Sequence, residues 1–354
     1  ENIKNAKEEQ YQAKFLDELF VNILDYSLNP MPNFNITTEF KNQKGAGKAD
    51  GAILKENSAI GVIELKGFNT IFKNTISLND ISDSIRGILP KSDDVSEIYK
   101  DGYKKYFIGY LGRYQMSKDF SWVLYSDNLR EKPKDYSYFQ DERILIRRLI
   151  NRQFRIMASL VNEEFVNKKD IYNLKLTDGK FNVYYVLALL NSKLFSFIKT
   201  KGSTTASKDD FSQLTLSDIR TIPVKIISEE PQYNFKEPIN TILSLNEEFN
   251  LFTNKFCKYF SVSAKIEKLT RKLENWQELD FSYFIKELNK AIKKAGGITL
   301  TKKDEFEWLD LFEDNKKKAQ ALQTQINQTE NEIDKMVYEL YGLTDEEIAI
   351  VENN

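Results

Sequence analysis

Three side chains in the first seventy residues, Asp50, Glu64 and Lys66, have types and spacing that could do chemistry together. Glu64 and Lys66 stand two apart, so on a strand both project from one face while Leu65 points to the other. An adjacent antiparallel strand could bring Asp50 alongside, and two carboxylates would then face one point. Such a pair suits Mg2+, a hard ion that takes oxygen ligands and keeps several of its waters. The ion lowers the pKa of a bound water and offsets charge on phosphate oxygens during in-line attack, while Lys66 would orient that water. The triplet by itself is weak. Glu39-Phe40-Lys41 repeats it, and a solvated, charged strand face has the same composition.

Composition narrows the choice of chemistry. The 354 residues contain no histidine and one cysteine, Cys257. That excludes a Ser-His-Asp triad, a histidine-metal nuclease centre, an HExxH or thiolate zinc site and an internal disulfide framework. Hydrolysis would have to run on carboxylates, lysine and a hard metal ion. With 51 Lys and Arg against 53 Asp and Glu there is no global basic field, so contact with a nucleic acid must rest on local patches. No apolar run is long enough to span a bilayer, and a lone cysteine suits a reducing compartment, so the chain reads as soluble and cytoplasmic. Its length suits two or three domains.

The elements that must position the three residues are legible. Phe15, Leu16, Leu19, Phe20, Ile23 and Leu24 recur at helical spacing, which predicts an amphipathic helix over about 5–26, with Glu8 upstream on its stripe. Pro30 and Pro32 stop it. FNITTEF, ADGAIL and AIGVIELKG read as strands separated by the turns NQKGAGK and KENS, giving a helix followed by a three-stranded meander.

Beyond residue 80, KKYFIGYLGRYQM, FSWVLYSDNL and ERILIRRLINRQFRIMASLVNEEF read as short strands of a mixed α/β module. Arg143, Arg147, Arg148, Arg152 and Arg155 form the clearest local basic patch, suited to phosphates and guanine edges; pairing with acids such as Asp141 and Glu142 is the alternative. Tyr103, Tyr106, Tyr110 and Tyr114 either stack on bases or pack a core. FNVYYVLALLNSKLFSFIKT reads as one strongly apolar helix. Lys199, Lys201, Ser203, Thr204, Thr205 and Lys208, at its end and in the polar stretch that follows, offer donors for phosphate, although a flexible loop has the same composition. The tail is helical. Gly296-Gly297 breaks it, Leu322, Ile326, Thr329, Ile333, Met336, Leu340 and Leu343 repeat at 4,3 spacing as a coiled-coil-like seam, and Gly342 fits a C-cap.

The stretches NAKEEQYQAKFLDELF, TTEFKNQKGAGKADGAIL and AIGVIELKG resemble the amino-terminal PD-(D/E)xK nuclease of type IIG restriction-modification enzymes. LLNSKLFSFI, a loop and then FSQLTLSDIRTIPV resemble the specificity domains of those enzymes and the TaqI-like C-terminal specificity domain. The first resemblance implies Asp50, Glu64 and Lys66 as the catalytic set, Mg2+ on Asp50 and Glu64, and Glu8 assisting the metal. The second implies double-stranded DNA as partner. A single such site cuts one strand, so two copies associating on DNA would be needed to cut both.

The resemblance also shows a departure. Enzymes of that group carry an adenine methyltransferase with a glycine-rich cofactor loop and an Asn-Pro-Pro-aromatic motif, whereas the only Asn-Pro here is Asn29-Pro30. S-adenosylmethionine is therefore expected only if a methyltransferase lies outside this sequence. The expected organisation is a shortened nuclease over 1–70, a seam over 71–80, a target-recognition domain over 81–235 and a helical part over 236–354. The fold class is α/β (α+β): a partial restriction-endonuclease-like sheet, then a mixed α/β recognition domain with a long C-terminal helical segment. The expected function is Mg2+-dependent, site-specific cleavage of DNA. The alternatives are a non-catalytic DNA-binding specificity protein, or part of a larger enzyme that also methylates adenine.

Overall fold

The computed structural model describes residues 16–21, 25–41, 48–56, 58–63, 72–131, 135–150, 154–202 and 213–353. The chain forms two units, Glu1–Lys73 and Asn74–Asn354.

The first unit is a meander. Strands β1 (Ile36–Lys41), β2 (Lys48–Lys55) and β3 (Ser58–Ile63) pair antiparallel in the order β1-β2-β3. Before them, Leu16–Val21 form a π-helical turn, and the remainder of the helix expected over 5–26 falls largely outside the described residues. Asn35 fixes the approach to β1: its backbone N–H donates to Ser27 O at 2.9 Å and its Oδ1 accepts from Ser27 N at 2.7 Å. Ile36 and Ala52 are fully buried. On the central strand Gly51 lies opposite both Thr38 and Ile63, and a Cβ there would sit 3.0 Å from Thr37 O, so the crowding favours glycine. Ile60 and Val62 on the outer strand are 65% and 56% exposed.

The second unit mixes sheet and helix. Its strands in chain order are β4 (Thr75–Ser77), β5 (Ser82–Arg86), β6 (Val95–Ser96), β7 (Tyr103–Phe107), β8 (Leu111–Gly112) and β9 (Gln115–Met116). They continue with β10 (Phe120–Leu124), β11 (Glu142–Arg147), β12 (Ala158–Asn162), β13 (Val166–Asn167), β14 (Ile171–Leu176) and β15 (Pro223–Lys225). Two four-stranded sheets result, ordered β13-β7-β10-β6 and β12-β11-β14-β5, with the hairpin β8-β9 and the pair β15-β4 as smaller additions. Phe107, Phe120 and Phe165, with ring centroids 5.3–5.8 Å apart, pack with Leu145, Val161 and Ile171 so that both sheets share one core.

The helices named here are α1 (Val183–Asn191), α2 (Lys193–Gly202), α3 (Leu216–Arg220), α4 (Lys236–Ser263), α5 (Phe281–Lys294), α6 (Lys302–Tyr341) and α7 (Asp345–Glu352). The apolar stretch read as one helix is two, broken at Ser192, whose backbone is extended (ψ 152°). Polar groups in its midst make the break. Asn191 acts as a strand-like partner, donating to Ala158 O at 2.9 Å and accepting from Ala158 N at 2.8 Å, while Ser192 Oγ donates to Leu189 O and accepts from Phe195 N.

α4 and α6 pack along each other, and at one end of the pair Phe256, Phe260, Trp276, Phe284 and Phe312 form an aromatic cluster. Thr301 and Asp304 make a capping box at the start of α6, and Gly342, the C-cap that the sequence indicated, ends it in the left-handed conformation (φ 67°). The seam differs in detail. Ile326, Thr329 and Ile333 are buried, but Val337 and Tyr341 then take the place of Met336 and Leu340. A straight helix drifts about 20° per heptad from a 3.5-residue repeat, so its buried stripe moves on by one residue. No helix among the described residues is long and apolar enough to cross a membrane.

Candidate nucleic-acid interface

Strand β11 carries two of the five expected arginines, Arg143 and Arg147, and the fold separates the described ones. Arg143 turns inward and is 1% exposed. Its Nη1 donates to Asp141 O at 2.9 Å and Glu163 O at 2.7 Å, Nη2 to Phe165 O at 3.1 Å and Nε to Asn173 Oδ1 at 3.2 Å. The guanidinium lies 4.7 Å from the Phe165 ring centroid. Burial pulls its pKa down to about 10, against opposing pulls from Asp141 and other neighbours, so it stays charged at neutrality. The expectation that Arg143 contacts DNA is corrected: it ties together strand ends that backbone bonds alone leave unsatisfied. The alternative, pairing of these arginines with acids, is met by Arg148 with Asp170 and by Arg155 with Asp334, whereas Arg143 takes the carbonyl of Asp141 rather than its carboxylate.

Arg155 is also diverted. Its Nη2 donates to Asn191 O at 2.7 Å and lies 3.9 Å from Asp334 on α6, with 14% of the side chain exposed. Burial lowers its pKa, as does the Arg113 charge, and Asp334 opposes both. Its place is the contact between the sheets and the long helix.

Arg147 and Arg148 remain at an accessible edge. The Arg147 guanidinium lies 5.5 Å from the Tyr110 ring centroid and its Nη1 is 3.7 Å from Met157 Sδ. Arg148 donates to Gln213 Oε1 and lies 3.8 Å from Asp170, with 28% of its side chain exposed. Leu149 bridges Gln213, and Leu214 N–H donates to Arg148 O at 2.9 Å. The two segments singled out in the sequence, around Arg147 and after α2, are therefore brought together. Lys199 donates to Thr221 Oγ1 at 2.9 Å; burial lowers its pKa and Asp218 opposes. Arg152, Ser203, Thr204, Thr205 and Lys208 lie outside the described residues, and Lys201 is described only as part of α2. Of the four tyrosines, Tyr106 and Tyr114 are core residues at 3% exposure each, while Tyr110 is 51% exposed beside Arg147.

In the first unit Asp50 belongs to β2, and its side chain lies outside what is described, as do Glu8, Glu64 and Lys66. The last described pair of the β2–β3 ladder is Gly51 with Ile63, the chain neighbours of Asp50 and Glu64. Among the described residues no group of three or more acidic or cysteine side chains could hold a metal ion.

Sequence reasoning missed the bond that joins recognition sheets to helices. Arg113, in the β8-β9 turn, makes a two-pronged pair with Glu330 of α6 at 3.0 and 2.9 Å, both side chains at most 20% exposed. The partners are 217 residues apart, and nothing local marks either one.

Comparison with known proteins gives the following. Residues 104–224 match the TaqI-like C-terminal specificity domain, and residues 228–337 match a domain of unknown function, DUF8810. A protein of Methanocaldococcus jannaschii, named provisionally as a type II restriction enzyme and methyltransferase, is 35% identical over 177 residues, covering 49% of this chain and 15% of its own length. The chain therefore spans about a seventh of that curated relative. Among solved structures, the S subunit of a type I restriction-modification system from M. genitalium aligns with TM-score 0.31 at 11% identity, covering 58% of this chain and 48% of that one. The type IIL restriction-modification enzyme MmeI in complex with DNA aligns with TM-score 0.35 at 11% identity, covering 80% and 45%. The central part of the chain thus resembles a restriction-modification specificity region.

Proposed function

We propose that the second unit recognises a short sequence in duplex DNA as the specificity region of a restriction-modification protein. The observation that carries this is the match of residues 104–224 to a specificity domain. What adds to it is the basic edge within that span, where Arg147 and Arg148 stand beside Gln213 and Tyr110. Guanidinium groups read guanine in the major groove through two hydrogen bonds, and amides read adenine in the same way. Lys199 and the donors of 201–208 suit phosphates, which position a protein on DNA without specifying sequence. The long α4–α6 pair would brace the reading edge.

The finer part of the proposal is cutting. Asp50 and Glu64 would hold Mg2+, Lys66 would orient the attacking water and Glu8 would assist, with two copies meeting on DNA to cut both strands. The antiparallel meander and its Gly51–Ile63 register support this. Adenine methylation with S-adenosylmethionine would arise only if a methyltransferase lies outside this sequence. Selection from a random duplex pool, followed by incubation of the enriched sequence with Mg2+, tests both parts. Enrichment of one sequence, with cleavage that Asp50→Ala or Lys66→Ala removes, is the expected result. Enrichment without cleavage in any divalent metal reduces the chain to a specificity protein, and no enrichment at all ends the proposal.

A further inference from the structure

Between the β8-β9 hairpin and the α4–α6 pair lies a cleft of about 160 Å³ lined by Tyr110, Gln115, Asn246, Gln323 and Asn327, with the Arg113–Glu330 pair in its wall. Its polar lining is mostly carboxamide, and among the described residues each amide is half used. Gln115 Oε1 accepts from Asn250 Nδ2 at 3.1 Å, which leaves the Gln115 amide protons. Asn246, 4% exposed, spends its Nδ2 on Ile242 O at 2.8 Å, and its Oδ1 has no hydrogen-bond partner among the described residues. Gln323 Nε2 donates to Asn327 Oδ1 at 2.9 Å, leaving the Gln323 oxygen and the Asn327 amide protons. The cleft thus presents two donors (Gln115, Asn327) and two acceptors (Asn246, Gln323). The one ion pair in its wall is satisfied internally, so the cleft offers no net charge to a ligand.

A neutral planar ring with donors and acceptors along its edge matches that pattern, and Tyr110, 51% exposed, supplies an aromatic face. The volume is well below the roughly 300 Å³ at which drug-sized sites begin, and it suits one small ring system. Tyr110 also carries the Arg147 guanidinium at 5.5 Å, so the cleft shares a residue with the basic edge. We propose that this cleft binds a single nucleobase, either presented by DNA or as a free nucleoside. Groove reading needs no base outside the stack, so this is an activity separate from sequence recognition.

The test uses 2-aminopurine, whose fluorescence falls on stacking, as the riboside and as the central base of a single-stranded 12-mer, with the full chain. Saturable quenching at one site per chain is expected, weakened at least tenfold in Gln115→Ala and in Asn327→Ala, with circular dichroism unchanged. Quenching by the riboside identifies a free nucleoside as sufficient; quenching by the 12-mer alone identifies a base carried on DNA. Absence of quenching with either probe, or quenching that survives both substitutions, overturns the proposal. Duplex affinity for the selected sequence, measured on the same two variants, is expected to hold, which keeps the outcome distinct from failure of sequence recognition.

Discussion

Replacing Arg143 with alanine gives a sharp outcome because sequence and structure assign that residue opposite roles. The substitution leaves Asp141 O, Glu163 O, Phe165 O and Asn173 Oδ1 without their donor in a place that is 1% exposed. Each unsatisfied buried acceptor costs about 1–3 kcal/mol, and the guanidinium's own desolvation offsets part of what its bonds contribute. Taking about 1 kcal/mol per acceptor, the recognition sheets should lose ~4 kcal/mol, a large share of a typical 5–15 kcal/mol. Arg143→Lys should lose nearly as much, since one ammonium cannot span the fork. The second unit combines recognition sheets with a helical cluster and need not unfold in one step, so the readout must be local. Trp122 sits on β10, whereas Trp276 and Trp308 sit in or against the helical cluster, so 5-fluorotryptophan labelling gives a separate signal for the sheets. In urea the Trp122 signal should move to much lower denaturant while the other two shift less. Unchanged stability together with weakened DNA binding would refute the structural role and return Arg143 to the DNA surface.

Other expected outcomes follow from the same contacts. Arg113→Ala and Glu330→Ala should each cost about 2–4 kcal/mol, because each leaves its partner's charge largely buried, and the double-mutant cycle should show a coupling of about 1–3 kcal/mol in urea melts. A coupling near zero would mean the pair is ornamental. Burial pushes the Cys257 thiol up to about 12, with the Glu274 charge adding to it, so the native protein should resist a thiol-reactive disulfide at pH 8 until the helical cluster opens. Hydrogen bonds from Lys105 and then Lys118 hold the Glu163 carboxyl below its usual range. A depressed folded-state pKa contributes stability above the unfolded value of about 4.3 that is lost as pH falls through the folded one. Glu163→Gln should therefore flatten the stability profile below about pH 4.5, by a small amount because the side chain is 44% exposed.

What the sequence disclosed depended on how local the cause was. The meander of β1–β3 and the helical tail are written in short-range patterns, alternation in one and the 4,3 repeat with its Gly342 cap in the other. The break at Ser192 was hidden because Asn191 and Ser192 interrupt an apolar run through partners as distant as Ala158. A cluster of arginines looked uniform in one dimension. Strand alternation and the neighbouring carbonyls sent Arg143 inward, Asp334 and Asn191 captured Arg155, and only the strand end left Arg147 and Arg148 at the edge. The carboxamide cleft and the Arg113–Glu330 pair join segments separated by up to 217 residues, so no spacing rule reaches them.

The central claim is that the edge carrying Arg147 and Arg148 reads DNA sequence. Its most direct test is the affinity of the wild-type chain and of Arg147→Ala and Arg148→Ala for the selected duplex and for a scrambled one, at fixed salt near 150 mM. A recognition module should prefer its site by about 10³-fold or more. Either substitution should reduce that preference by about 1–3 kcal/mol while leaving scrambled-duplex binding nearly unchanged. Equal affinity of the wild-type chain for both duplexes, or a preference that neither substitution alters, would contradict it.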